Sequence, residues 1–130
     1  MQQHRILHIE DSKTDADLIK RTLQKSGLSF QYLLAVNEAD VHKSLEEFVP
    51  DLILCDHSLP AFNPKMAYAI CKEKNPDLPF ILVTGAVSEE FAVDMIQTGV
   101  DDYLLKINLQ RLPAAITNAL SKKETNKKIE

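Results

Sequence analysis

The 130 residues contain no apolar run that approaches the roughly 20 residues a membrane span needs. The N-terminal stretch MQQHRILHIED has no long apolar core of the signal-peptide kind, so the chain is expected in the cytoplasm and off membranes. Cysteine is scarce. Its two copies, Cys55 and Cys71, sit inside apolar patterns and read as reduced core thiols rather than a disulfide framework. Two cysteines and four scattered histidines show no zinc-ligand spacing. An excess of positive charge is also missing, since 15 basic residues face 19 acidic ones for a net charge of −4. That balance argues against a broad nucleic-acid footprint, and direct DNA binding is not expected. There is no internal repeat and no glycine-rich phosphate loop of the Walker type. What is present is 45% hydrophobic and 26% charged, the make-up of an ordinary globular protein with one core.

Apolar periodicity supplies the organisation. RILHIE (5–10) reads as a strand ending in acids. Ala16, Ile19 and Leu23 then fall at helical spacing, with Gly27 as the stop. FQYLLAV (30–36) reads as a second strand, followed by a helix traced by Val41, Leu45 and Phe48 and closed by Pro50. DLILCD (51–56) is a third strand. Met66, Ala69 and Ile70 mark a helix starting near Pro64, a residue favoured in a first turn. PFILVTG (79–85) is a fourth strand. Ser88 reads as the N-cap of a helix with Phe91, Ala92, Met95 and Ile96 on its apolar face and Gly99 at its end. DDYLLK (101–106) is a fifth strand, and Leu112, Ile116, Ala119 and Leu120 build a last helix with Pro113 in its first turn. Five strand–helix alternations imply a mostly parallel sheet covered on both faces. From Ser121 onward the chain turns polar, and SKKETNKKIE reads as a frayed helical tail or the stub of a linker.

In such a sheet ligands bind outside the carboxyl ends of the strands. Strand one ends in Glu10 and Asp11, strand three in Asp56, strand four in Thr84 and strand five in Lys106. Three carboxylates brought close repel one another unless a cation joins them. An all-oxygen set of this charge suits Mg²⁺. Lys106 and Thr84 could hold phosphoryl oxygens, and Asp56 could then act as nucleophile, because carboxylates form acyl phosphates. Each residue alone has a duller use: an aspartate after a strand caps or turns, and an acidic pair is solvated. The conjunction at one rim is what points to phosphoryl chemistry.

The motifs HIEDS, ILCDHSLP, ILVTG and DYLLK, with SEEFAVDMIQTGVDDYLLK, resemble those of the receiver domains of two-component response regulators. The resemblance covers residue 5 to about 120. It implies a flavodoxin-like (βα)5 fold with strand order 2-1-3-4-5, a receiver domain over 1–122 and a polar tail or linker over 123–130. It implies that Asp56 is the phosphoacceptor for a histidine kinase or histidine phosphotransfer protein. Glu10, Asp11, Asp56 and the backbone carbonyl of Ser58 would hold Mg²⁺, while Thr84 and Lys106 contact the phosphoryl group. Tyr103 matches the switch aromatic that turns inward as the threonine moves. Phosphorylation would then change binding of a downstream protein partner through the face of the fourth helix, fifth strand and fifth helix. On this reading the chain is not an enzyme but a phosphoacceptor that promotes its own phosphorylation and dephosphorylation.

The chain departs from the family pattern in two places. Ile107 stands where a proline is usual after the lysine. A cis bond without proline costs about 2.5–4 kcal/mol, so a trans Lys106–Ile107 bond and a reshaped loop are expected. Asn63-Pro64 occupies the region of a usual glycine. Features such as LPxF and LLKxNLxRL resemble a subset found alone or fused to sensor kinases. Ser58 and Ala86, both small, would leave room for water near the phosphate. His57 reads as a loop side chain and Lys13 as solvated. Two rivals remain: a degenerate receiver that binds partners without phosphate, against which the full residue set argues, and a true enzyme. A flavin carrier would suffer from the strand-one acids, and an aspartate phosphatase would place Asp-x-Asp where Glu10-Asp11 stands.

Overall fold

The computed structural model describes residues 3–56, 62–85 and 89–129, with residues 89 and 123–129 given by backbone alone. Strands β1 (His4–Ile9), β2 (Phe30–Ala35), β3 (Leu52–Cys55), β4 (Phe80–Thr84) and β5 (Asp102–Leu105) alternate with five helices. These are α1 (Lys13–Lys25), α2 (Glu38–Glu47), α3 (Pro64–Lys74), α4 (Glu89–Thr98) and α5 (Leu112–Ile129). A 3-10 helix, Lys106–Arg111, leads into α5. All pairings are parallel and the strand order is 2-1-3-4-5, as expected.

The central strands β3 and β4 form because their side chains are apolar on both sides. Every residue of β3 and β4 is buried. Alternation then sorts them. Ile53, Cys55, Phe80 and Leu82 meet Val41, Leu45, Ala67, Cys71 and Met95 under α2, α3 and α4. Leu52, Leu54, Ile81 and Val83 meet Ile19, Leu23, Leu112 and Ile116 under α1 and α5. Both cysteines are free and buried, and burial pushes both thiols above their ordinary pKa.

Helix starts follow side-chain capping. Ser12, Asn37 and Asn63 each accept a hydrogen bond from the backbone N–H three residues on, and Pro64 opens α3. The expected cap Ser88 lies outside the described residues. Gly27 follows the C-cap of α1 with φ +82°. At the end of α2, Val49 takes the same left-handed conformation at φ 52°, which costs a side-chain-bearing residue about 1–2 kcal/mol.

Two helix faces differ from expectation. On α3 the buried positions are Pro64, Ala67 and Cys71, while Met66 and Ala69 face solvent. On α4 Met95 is buried and Ile96 is half exposed. The Lys106–Ile107 bond is trans, and the chain turns straight into the 3-10 helix with Ile107 left 78% exposed. The α5 backbone runs helically to Ile129 through the stretch read as tail or linker.

Candidate functional site

Glu10 and Asp56 each stand one residue beyond a strand in the middle of the sheet. The Glu10 N–H donates to Ala35 O at 3.0 Å and the Asp56 N–H to Ile9 O at 2.9 Å, so both are pinned by the last bonds of the ladder. Ile9 pairs with Cys55, which sets Glu10 beside Asp56. Thr84 pairs with Leu105 on the other side, next to Lys106. Hydrogen-bonded register thus gathers residues separated by up to 96 positions.

Lys106 is the hub. Its Nζ lies 2.7 Å from Glu10 Oε1, 2.7 Å from Asp15 Oδ2 and 3.2 Å from Asp56 Oδ1. The first two are hydrogen bonds in angle as well as distance. The third is proximity alone, since buried Asp56 Oδ1 has no hydrogen-bond partner among the described residues. Thr84 Oγ1 is equally buried and equally unpartnered. Burial works against the charge on Lys106, but the hydrogen bonds to Asp15 and Glu10 and the attraction of Asp56 outweigh it and raise its pKa. Burial pushes the Glu10 carboxyl above its ordinary value, with the Lys106 hydrogen bond opposing and the Asp56 charge adding to the rise. Glu10 is completely buried, its Oε2 accepting the Ser12 N–H at 3.2 Å.

One carboxylate oxygen from each of Glu10, Asp11 and Asp56 lies within 4.8 Å of the others. Oxygens opposite one another on an octahedral Mg²⁺ stand about 4.2 Å apart, so small side-chain adjustments close this set on such an ion. The hard oxygen donors and the unpartnered Asp56 oxygen fit that group. Ser58, expected to add its carbonyl, lies outside the described residues, as do His57 and Ala86. Tyr103 is partly buried against the cluster under α2, α3 and α4.

Sequence reasoning missed two neighbours. Asp15, the third Lys106 partner, was signalled only by its place in the first turn of a helix that starts at the rim. His8 is fully buried two residues before Glu10, with Nδ1 2.6 Å from the Tyr32 hydroxyl and Nε2 unpartnered among the described residues. It lies in the stretch of β1 that is buried on both faces, and nothing in the sequence named its partner.

Sheet order and rim together define a doubly wound α/β domain with a carboxylate–ammonium pocket at its topological switch point. The chain belongs to the response regulator receiver domain family, whose profile matches residues 6–117. It is 30% identical over 115 residues to the luminescence regulatory protein LuxO of Vibrio campbellii, covering 88% of this chain and 25% of that protein. It is 28% identical over 117 residues to the transcriptional regulatory protein ZraR of Salmonella typhimurium, covering 89% of this chain and 26% of that protein. The chain therefore spans about a quarter of the length of these curated relatives. Among solved structures, the signal receiver domain of a Luxo repressor protein from Vibrio parahaemolyticus superposes with TM-score 0.86 at 25% identity, covering 99% of this chain and 98% of that one. A CheY-like receiver domain from Methanospirillum hungatei gives 0.83 at 25% identity, covering 96% and 99%.

Receiver domains bind Mg²⁺ at an acidic pocket and interact with histidine kinases or phosphotransfer proteins. Membership corrects one expectation, that the chain is not an enzyme but a phosphoacceptor that promotes its own phosphorylation and dephosphorylation. Receiver domains catalyse phosphoryl transfer to their own aspartate and its later removal, so membership does not support excluding catalysis. No helix among the described residues is long and apolar enough to cross a membrane.

Proposed function

We propose that this domain accepts a phosphoryl group on Asp56 from a phosphohistidine of a kinase or phosphotransfer protein and thereby changes its partners. The observation that carries the reading is Asp56 itself, 3% exposed, with a buried oxygen that has no hydrogen-bond partner among the described residues and lies 3.2 Å from Lys106 Nζ. An oxygen of Asp56 attacks phosphorus, the P–N bond breaks, and its electron pair stays on the leaving imidazole, which takes up a proton. Glu10, Asp11 and Asp56 would hold Mg²⁺, with the Ser58 carbonyl as a further ligand. When bound, that ion supplies charge neutralisation for the phosphoryl oxygens. Lys106 provides an ammonium that offsets the charge developing on the same oxygens. The Thr84 hydroxyl, buried and without a partner among the described residues, would donate to another. Its movement toward phosphate would open space into which Tyr103 turns, altering the face of α4, β5 and α5. On this reading residues 1–122 form the receiver unit and 123–130 a tail or linker, the setting is cytoplasmic, and output passes through a protein partner rather than by direct contact with DNA.

Incubation with acetyl phosphate and Mg²⁺, followed by intact-mass measurement, tests the proposal. The expected result is a gain of one phosphoryl group that is absent from Asp56→Asn and from samples with chelator. A wild-type mass that stays unchanged would overturn it.

A further inference from the structure

The Lys106 hub contains one carboxylate that the phosphoacceptor chemistry does not use. Asp15 occupies the third position of α1, counted from the cap Ser12. In a capping box the acid at that position reaches back to the N-cap N–H. Here the Ser12 N–H is taken by Glu10 Oε2 at 3.2 Å, which leaves the Asp15 carboxylate free to bind Lys106 at 2.7 Å. An ammonium has three protons. Two are directed to Glu10 and Asp15, and none is aligned on Asp56 Oδ1.

We propose that Asp15 is a positioning residue for Lys106: it ties the ammonium to α1 in the resting domain and yields it when Asp56 carries a phosphoryl group. This rests on the phosphoacceptor reading of Asp56. A phosphoryl group carries up to about two negative charges and draws the ammonium toward it. The third proton is available to that group, and as Nζ shifts toward it one of the two short bonds lengthens. Glu10 is wholly buried, and Lys106 is the partner of its Oε1 among the described residues, so giving up that bond costs more than giving up one at the surface. Releasing Asp15, whose side chain is 38% exposed, returns it to solvent at little cost. The Asp15 bond is therefore the one that gives, and the start of α1 senses the state of Asp56.

Calorimetric titration of the full chain with beryllium fluoride in the presence of Mg²⁺, a mimic of the acyl phosphate, tests this. Asp15→Asn should lower the half-saturating concentration about fivefold, because the competing carboxylate is gone. Asp17→Asn removes the same charge from an exposed position on α1 outside the Lys106 contacts and should stay within about twofold of wild type. An unchanged or raised value in Asp15→Asn, or an equal drop in Asp17→Asn, overturns the proposal. Failure of the wild type to bind beryllium fluoride at all would instead overturn the phosphoacceptor reading beneath it. A crystal structure of the wild-type complex reads the same point without a variant. Lys106 Nζ should keep Glu10 and stand beyond the roughly 4 Å ion-pair limit from Asp15, whereas persistence of the 2.7 Å contact refutes the release.

Discussion

His8 shows how a single buried side chain next to the pocket ties stability to pH. It is fully buried, and desolvation, helped by the positive charge of Lys106, lowers its pKa from 6.5 to about 3. The imidazole is thus neutral in the folded domain wherever the unfolded chain already binds a proton, that is, between pH 6.5 and about 3. The contribution of His8 to stability is complete above pH 6.5 and is lost as the pH falls through that window, with a slope of about 1.4 kcal/mol per pH unit. Urea unfolding of the metal-free protein between pH 7.5 and 4.5 should show this extra acid sensitivity in the wild type. His8→Gln cannot take up that proton and should have a shallower acid limb. Equal slopes for the two would mean that His8 is protonated in the folded state.

Elements are held in place by a few close approaches, and the end of α4 is one. Gly99 has φ +125°, and a Cβ there would run into the hydroxyl of Tyr68, whose ring packs edge-on against Phe80 with centroids 5.2 Å apart. Gly99→Ala should cost about 2 kcal/mol in chemical denaturation, part from backbone strain and part from the collision. In a Tyr68→Phe background only the backbone part remains, so the penalty should shrink without vanishing. Equal penalties in both backgrounds would show that the collision contributes nothing.

The same elements show what could be read from sequence and why. Strand positions were legible because runs such as LILC and FILVT are apolar on two successive faces, a pattern that fits a covered parallel sheet. The phases of α3 and α4 were not. In α3 the residues Met66, Ala67, Tyr68, Ala69 and Ile70 are all compatible with a core, so periodicity had no polar residue with which to fix the buried stripe. In α4 Val93, Met95 and Ile96 blur it in the same way. At the rim, the gathering of Glu10, Asp11 and Asp56 with Lys106 beside them was legible because strand ends are set by register. Asp15 was not, because its partner depends on Glu10 capturing the Ser12 N–H, a contest between hydrogen bonds that no spacing encodes.

At the scale of the whole molecule, strand order concentrates negative charge at one rim. With β1 and β3 adjacent at the sheet's centre, Glu10, Asp11 and Asp56 converge, and the chain as a whole already carries a net charge of −4. Lys106 is the one cation within ion-pair distance of Glu10, Asp15 or Asp56 among the described residues. The folded domain should therefore gain stability from a divalent ion that the unfolded chain cannot hold. With free Mg²⁺ tenfold above its dissociation constant the gain is about 1.4 kcal/mol, which corresponds to a rise in melting temperature of roughly 5 °C for a domain of this size. Chelation should reverse it. Asp11→Asn, an exposed member of the set, should melt no lower than wild type without metal, because it removes a like charge, and should lose most of the Mg²⁺ response. Sodium chloride at matched ionic strength separates screening from binding: it should move both proteins slightly and equally. Were the salt to reproduce the Mg²⁺ shift, or Asp11→Asn to keep it in full, the three carboxylates would not be a cation site.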